Sequence, residues 1–213
     1  VTNYGLAIHT ASAALGLAIN NFAGDRRDRV WELGRETSNL LHQYLLEFIQ
    51  PQTWQDLSFL AVAKGPGGFT GTRIGVVAAR TLAQQLDLPL FAVSTLAGVA
   101  WQTAKSLPDP TIAIAVQMRA QRDEVFGAIY QLEQADTENS QLVCRLPDTA
   151  MAIADWQKIL DEWETPYQAA IAADGIAATV VEILELAHCD WQHGHRPHWL
   201  DALPYYGQHP VDR

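Results

Sequence analysis

The stretch Lys64-Gly65-Pro66-Gly67-Gly68-Phe69-Thr70-Gly71-Thr72-Arg73 decides how this chain folds. The run before it, Phe59–Ala63, is apolar without interruption and short, which predicts a buried strand. The run after it, Ile74–Leu86, has helical spacing. Strand, glycine-rich loop and helix together can present backbone N–H groups to an anion. Glycine also lets a second backbone approach closely. The stretch therefore has two readings. It is either a phosphate cradle, or a loop whose small residues let the Gly71-Gly75-Ala79 helix face pack tightly on a neighbour.

Two nucleotide motifs fail on spacing. A P-loop needs GxxxxGK[ST], but the sixth position from Gly65 is Thr70 and no lysine follows. A dinucleotide fingerprint needs GxGxxG; Gly65 and Gly67 fit, and Thr70 again takes the place of the last glycine.

On the helix, Gly71, Gly75, Ala78 and Leu82 share one face, and Ile74, Val77, Thr81 and Gln85 another. So weakly charged a helix must bury nearly all round. An upstream helix is predicted from a cap at Thr37 or Ser38 to Ile49, stopped by Pro51. Its apolar positions are Leu41, Tyr44, Leu45 and Phe48, widened by Leu40 and Ile49. Two such helices side by side are either core or a subunit interface.

Around this centre, Tyr4–Ile8, Leu15–Asn20 and Arg29–Leu33 read as a strand meander, with His9-Thr10-Ala11-Ser12 in its first turn. Thr53-Trp54-Gln55-Asp56 reads as a capping box. Pro89–Val93 is a strand, followed by a helix from Ser94 or Thr95 to Lys105. Leu107-Pro108-Asp109-Pro110 is the best linker. Beyond it come strands Ile112–Val116, Val125–Gln131 and Leu142–Leu146 around a polar loop Glu133–Gln141, helix Ala152–Trp163, strand Gln168–Ala172 and helix Ile176–His188. Each half opens with strands and continues with helices, which predicts two α/β lobes over one Rossmann sheet. The lobes are expected at 1–107 and 108–213, with the last ~15 residues able to pack back on the first.

The 213 residues carry 14 basic and 24 acidic side chains, a net charge of −10. That surface disfavours strong direct binding to nucleic acid. Cys144 and Cys189 form no CxxC pair, and no apolar run is long enough for a membrane span, so a cytoplasmic protein is expected. His188, Cys189, His193, His195 and His198 cluster near the end, but their spacing matches no zinc motif. Neither HExxH nor GxSxG occurs. Asp123-Glu124 could supply a general acid or base, but paired acids at a strand start are usually solvated. His9 on the first turn is a poor ligand for hard Mg²⁺.

The run Ala63–Gly75 resembles the GxGPGSFTGxRIG motif of the TsaB (YeaZ) family. Other stretches are similar as well: Leu88–Leu96 to its xPxxxVSTL, Ile8-His9-Thr10-Ala11 to I-D-T-[AS], Asp123–Phe126 to G-E-V-Y, and Leu203–Tyr206 to P-x-Y. The resemblance implies a two-lobed α/β fold of the actin-like/sugar-kinase ATPase class. It implies a noncatalytic subunit for synthesis of N6-threonylcarbamoyladenosine at tRNA position 37, with partners TsaD and TsaE, a homodimer when alone, and tRNA met only indirectly. No cofactor is expected on this chain alone; ATP or ADP and metal would belong to TsaD and TsaE. The docking surface it implies comprises Leu40, Leu41, Tyr44, Leu45 and Phe48 with Gly71, Arg73, Ile74, Gly75, Val77, Ala78, Thr81 and Leu82. Gly65, Pro66, Gly67, Gly68, Phe69 and Thr70 would form its glycine loop, and His9 and Thr10 a vestigial nucleotide-site hairpin. The chain departs from the family pattern at His9 (usually Asp), at Thr37 (often His) and at Arg119-Ala120-Gln121 (usually D-A-R). The rival enzyme readings are a small-molecule kinase of the same fold and a peptidase.

Overall fold

The computed structural model describes residues 3–134, 140–173 and 175–207. In chain order the elements are β1 (Tyr4–His9), β2 (Ala14–Asn20), β3 (Arg26–Glu32), α1 (Thr37–Phe48), β4 (Leu57–Ala63), α2 (Phe69–Leu86), β5 (Leu90–Val93), α3 (Thr95–Ser106), β6 (Ala113–Arg119), β7 (Glu124–Gln134), β8 (Ser140–Ala152), α4 (Ile153–Asp161), β9 (Tyr167–Ala172) and α5 (Val180–Gln192). The chain forms two units, one of Val1–Thr95 with Gly175–Tyr205, the other of Leu96–Asp174 with Tyr206–Arg213.

In the first unit the strand order is β3-β2-β1-β4-β5. β1 runs antiparallel to β2 and parallel to β4; β5 is parallel to β4 and β3 antiparallel to β2. Side-chain alternation gives this sheet two unlike faces. Leu6, Ile8, Leu15, Leu17, Leu60 and Val62 point to one face and pack with Leu41, Leu45 and Phe48 of α1 and Val76, Ala79 and Ala83 of α2. Ala7, Ala18, Ala61 and Ala63 point to the other, where small side chains let Val180, Ile183, Leu184 and Ala187 of α5 settle close, around Phe59. A Cβ on Gly16 would lie 2.3 Å from the Ala177 carbonyl oxygen, so this face needs glycine there.

The second unit has strand order β8-β7-β6-β9, antiparallel except for β6 and β9. α4 lays Trp156 over Gly127, where a Cβ would come within 2.6 Å of the ring. The indole N–H of Trp156 donates to Gln117 Oε1 at 2.7 Å.

Several boundaries differ from the sequence reading. The expected lobe limits of 1–107 and 108–213 move because α5 completes the first unit's core and α3 from Leu96 onward groups with the second unit. The Pro108–Pro110 linker is a turn inside that second unit, held by Asp109, which accepts from the N–H and hydroxyl of Thr111. β3 begins at Arg26 instead of Arg29, because it pairs residue for residue with the whole of β2. The Arg27 side chain donates to the carbonyls of Phe48 and Ile49, satisfying the C-terminal end of α1. Thr37 is the first residue of α1 and its hydroxyl donates to the Gly34 carbonyl, so neither Thr37 nor Ser38 caps the helix. The capping box at Thr53 and Asp56 is present. Most of the polar loop expected between Glu133 and Gln141 lies outside the described residues.

Candidate docking surface

α2 starts at Phe69, not at Ile74, so the loop proper is Lys64–Gly68 and Phe69, Thr70 and Gly71 belong to the helix's first turn. The loop is held by backbone bonds on three sides. Lys64 N–H donates to Val93 O at 2.9 Å, Thr95 N–H to Gly65 O at 2.9 Å, and Tyr205 N–H to Lys64 O at 2.7 Å. Gly65 itself has φ of 100°, where glycine is favoured.

What fills the loop is the turn between β1 and β2. Gly68 N–H donates to Ala11 O at 2.7 Å. The Thr10 hydroxyl donates to Gly71 O at 2.7 Å. A Cβ on Gly67 would lie 2.2 Å from Ala11 O, one on Gly71 2.2 Å from Thr10 O, and one on Gly75 2.1 Å from Thr10 Oγ1. The glycines at 67, 71 and 75 thus serve contact with the chain's own hairpin, the second of the two readings. Carbonyl oxygens of Thr10 and Ala11 stand against the loop and the first turn of α2, and they repel an anion there.

His9 is fully buried. Ala11 N–H approaches its Nδ1 at 3.3 Å, which places the ring proton on Nε2. That nitrogen has no hydrogen-bond partner among the described residues. Burial alone lowers the His9 pKa to about 3, so the ring is neutral near pH 7. One nitrogen accepts an N–H and the other carries a proton, so neither offers a lone pair to a metal. These residues do not fit a Mg–nucleotide.

The residues expected to form the docking surface divide sharply. Leu41, Leu45, Phe48 and Gly75 are buried in the first unit's own interior and are not available to a partner. Leu40, Tyr44, Gly71, Ile74, Ala78 and Leu82 are half-buried. Arg73, Val77 and Thr81 are exposed, in line along α2 at four-residue spacing with Phe69. Val77 is 60% and Phe69 41% exposed, and the Arg73 guanidinium lies 4.9 Å from the Phe69 ring centre. Phe69 therefore belongs to the outward helix face instead of the loop. Leu46, 57% exposed on α1, was missed because it falls off the apolar stripe.

The tail histidines are scattered. His188 stacks on Phe22 with centroids 3.5 Å apart, His193 bonds the Cys189 carbonyl, His195 sits 3.6 Å from Asp190, and His198 accepts from Leu200 N–H. No group of three or more metal-ligating side chains occurs among the described residues. Asp123 sits with Arg122 at positive φ in the β6–β7 turn. Among the described residues no helix is long and apolar enough to cross a membrane.

A family model described as "TsaD: tRNA N6-adenosine threonylcarbamoyltransferase" matches residues 40–175, more than half of the chain. A "tRNA threonylcarbamoyladenosine biosynthesis protein TsaB" of Bacillus subtilis is 40% identical over 114 residues, covering 53% of this chain and 45% of the relative. The Escherichia coli protein of the same name is 30% identical over 110 residues, covering 52% and 47%. The chain belongs to the family that this model describes. The curated relatives it resembles there are TsaB proteins. The matched stretch spans just under half the length of these TsaB relatives. "YeaZ from Pseudomonas aeruginosa" shares the fold over 95% of this chain and 100% of that one, with a TM-score of 0.73 at 23% identity. The architecture is the mixed α/β fold of that structure, built here from the two units described above.

Proposed function

We propose that this chain is a noncatalytic subunit for tRNA threonylcarbamoyladenosine synthesis and that it docks onto a TsaD-type transferase through α2. The observation that carries the reading is the exposed Phe69, Arg73, Val77 and Thr81 line, which starts where the hairpin-filled loop ends. Two large exposed apolar side chains, Phe69 and Val77, flanking an arginine on one helix line favour a protein partner. The occupied loop and the neutral His9 weigh against nucleotide chemistry on this chain, and with it against the kinase alternative. ATP or ADP and metal then enter with TsaD and TsaE, and tRNA is met through the transferase. In the absence of TsaD the same face supports a homodimer.

The test is co-sedimentation with the purified TsaD-family protein of the same genome. Val77→Glu should abolish the complex without changing the melting temperature, because a buried unpaired carboxylate costs several kcal/mol in an interface. Undiminished binding would remove α2 as the docking element. Leu41→Glu is no interface test, since Leu41 has 0% exposure and the change would unfold the first unit.

A further inference from the structure

After α5 the described chain has one short 3-10 turn, Trp199–Asp201, yet it is fixed to the first unit at four places. Pro197 O accepts from Leu90 N–H on the edge strand β5 at 3.2 Å. The Arg80 guanidinium lies 5.9 Å from the Trp199 ring centre. Ala202, 1% exposed, joins the cluster containing Val76, Ala79 and Ala83. Tyr205 N–H donates to Lys64 O, and Tyr205 O lies 2.7 Å from where a Cβ on Gly65 would be. Residues 197–205 are thus a strap that runs beside α2 from the level of Arg80 back to the glycine loop. Between the anchors its side chains turn outward: Leu200 is 53% and Leu203 61% exposed. These leucines give the strap, which runs beside α2, apolar surface of its own.

The charge along this surface says which partner it fits. The chain has a net charge of −10, yet α2 carries Arg73 and Arg80 and no acidic residue. The flanking acids in sequence are Asp56 before α2 and Asp87 just past it, and the strap carries Asp201. Two copies of this face would set arginines toward arginines while both acidic bodies repel. A partner bearing carboxylates opposite the arginines meets neither cost.

We propose that the strap and α2 form one composite docking surface, with Leu200 and Leu203 from the strap and Phe69 and Val77 from the helix. It fits a different chain that brings carboxylates to Arg73 and Arg80, in preference to a second copy of this one. The proposal rests on the docking reading above and specifies its partner.

Binding to the TsaD-family protein and self-association are measured in parallel by sedimentation. The double variant Leu200→Asp/Leu203→Asp should weaken the mixed complex about tenfold or more, with an unchanged melting temperature, since both side chains point outward. Raising NaCl from about 50 to about 300 mM should weaken the wild-type mixed complex several-fold and leave self-association equal or stronger. The salt arm needs no variant. Wild-type binding by the strap variant would remove the strap from the surface while Val77→Glu still reports on α2. A mixed complex that salt strengthens would overturn the charge assignment. Loss of any effect from Val77→Glu would overturn the docking reading itself.

Discussion

Gly71→Ala should destabilise the protein although it places the best helix former inside a helix. In an exposed helix interior this change gains about 1 kcal/mol. Here the new Cβ would lie 2.2 Å from Thr10 O and 3.4 Å from Ser12 O. Carbon and oxygen normally approach no nearer than about 3.3 Å, so helix and hairpin must part by about 1 Å. That movement strains two hydrogen bonds, Thr10 Oγ1 to Gly71 O and Gly68 N to Ala11 O. Each contributes about 1 kcal/mol net. Overpacking at a backbone adds about 1–3 kcal/mol. After the propensity gain, the expected loss is about 2–4 kcal/mol, read as a lower urea midpoint at constant m-value. Gly68→Ala is the control: its Cβ would meet Ala11 O at 3.6 Å, an ordinary contact, and it should change stability by less than about 1 kcal/mol. If Gly71→Ala proves neutral or stabilising, or if Gly68→Ala costs as much, then the glycines do not serve the hairpin.

Two further outcomes follow from buried groups. His9 is neutral and buried with a folded pKa of about 3 against an ordinary value of 6.5. Its contribution is fully present above pH 6.5 and is lost as pH falls toward 3. At pH 5 the loss is about 2 kcal/mol, so His9→Gln should lose that much less stability than wild type between pH 7.5 and 5; parallel pH curves would contradict this. Trp156, 2% exposed and bonded to Gln117, should cost about 3–5 kcal/mol when changed to Ala, measured by urea unfolding of the whole chain. A loss below about 1 kcal/mol would mean that the second unit's core does not depend on it.

Much of the fold was legible because burial leaves periodic traces. The alternation of Leu6 and Ile8 with Ala7, and of Leu60 and Val62 with Ala61, marks strands covered on both faces, and the elements appear near their expected places. The spacing of Gly71 and Gly75 announced a close approach, but not which neighbour approaches, since the hairpin lies some sixty residues upstream in sequence. Helical periodicity showed two apolar faces on α2 without saying which one α1 and the sheet would cover. As a result Gly75 counted as surface and Phe69 as loop. The strap had no period to read: its anchors are backbone bonds, one ring contact at Trp199 and one small buried residue, Ala202. The return of α5 to the first unit was hidden for a similar reason. Its apolar stripe is plain in sequence, but the alanine-lined sheet face that receives it comes from strands far upstream.

The central claim is that α2 presents a partner-binding face and not a nucleotide site. Sedimentation of wild type and Val77→Glu with the TsaD-family protein of the same genome tests it most directly. The account predicts a complex for wild type and none for Val77→Glu, with both free proteins melting alike. Equal binding by the two would contradict it.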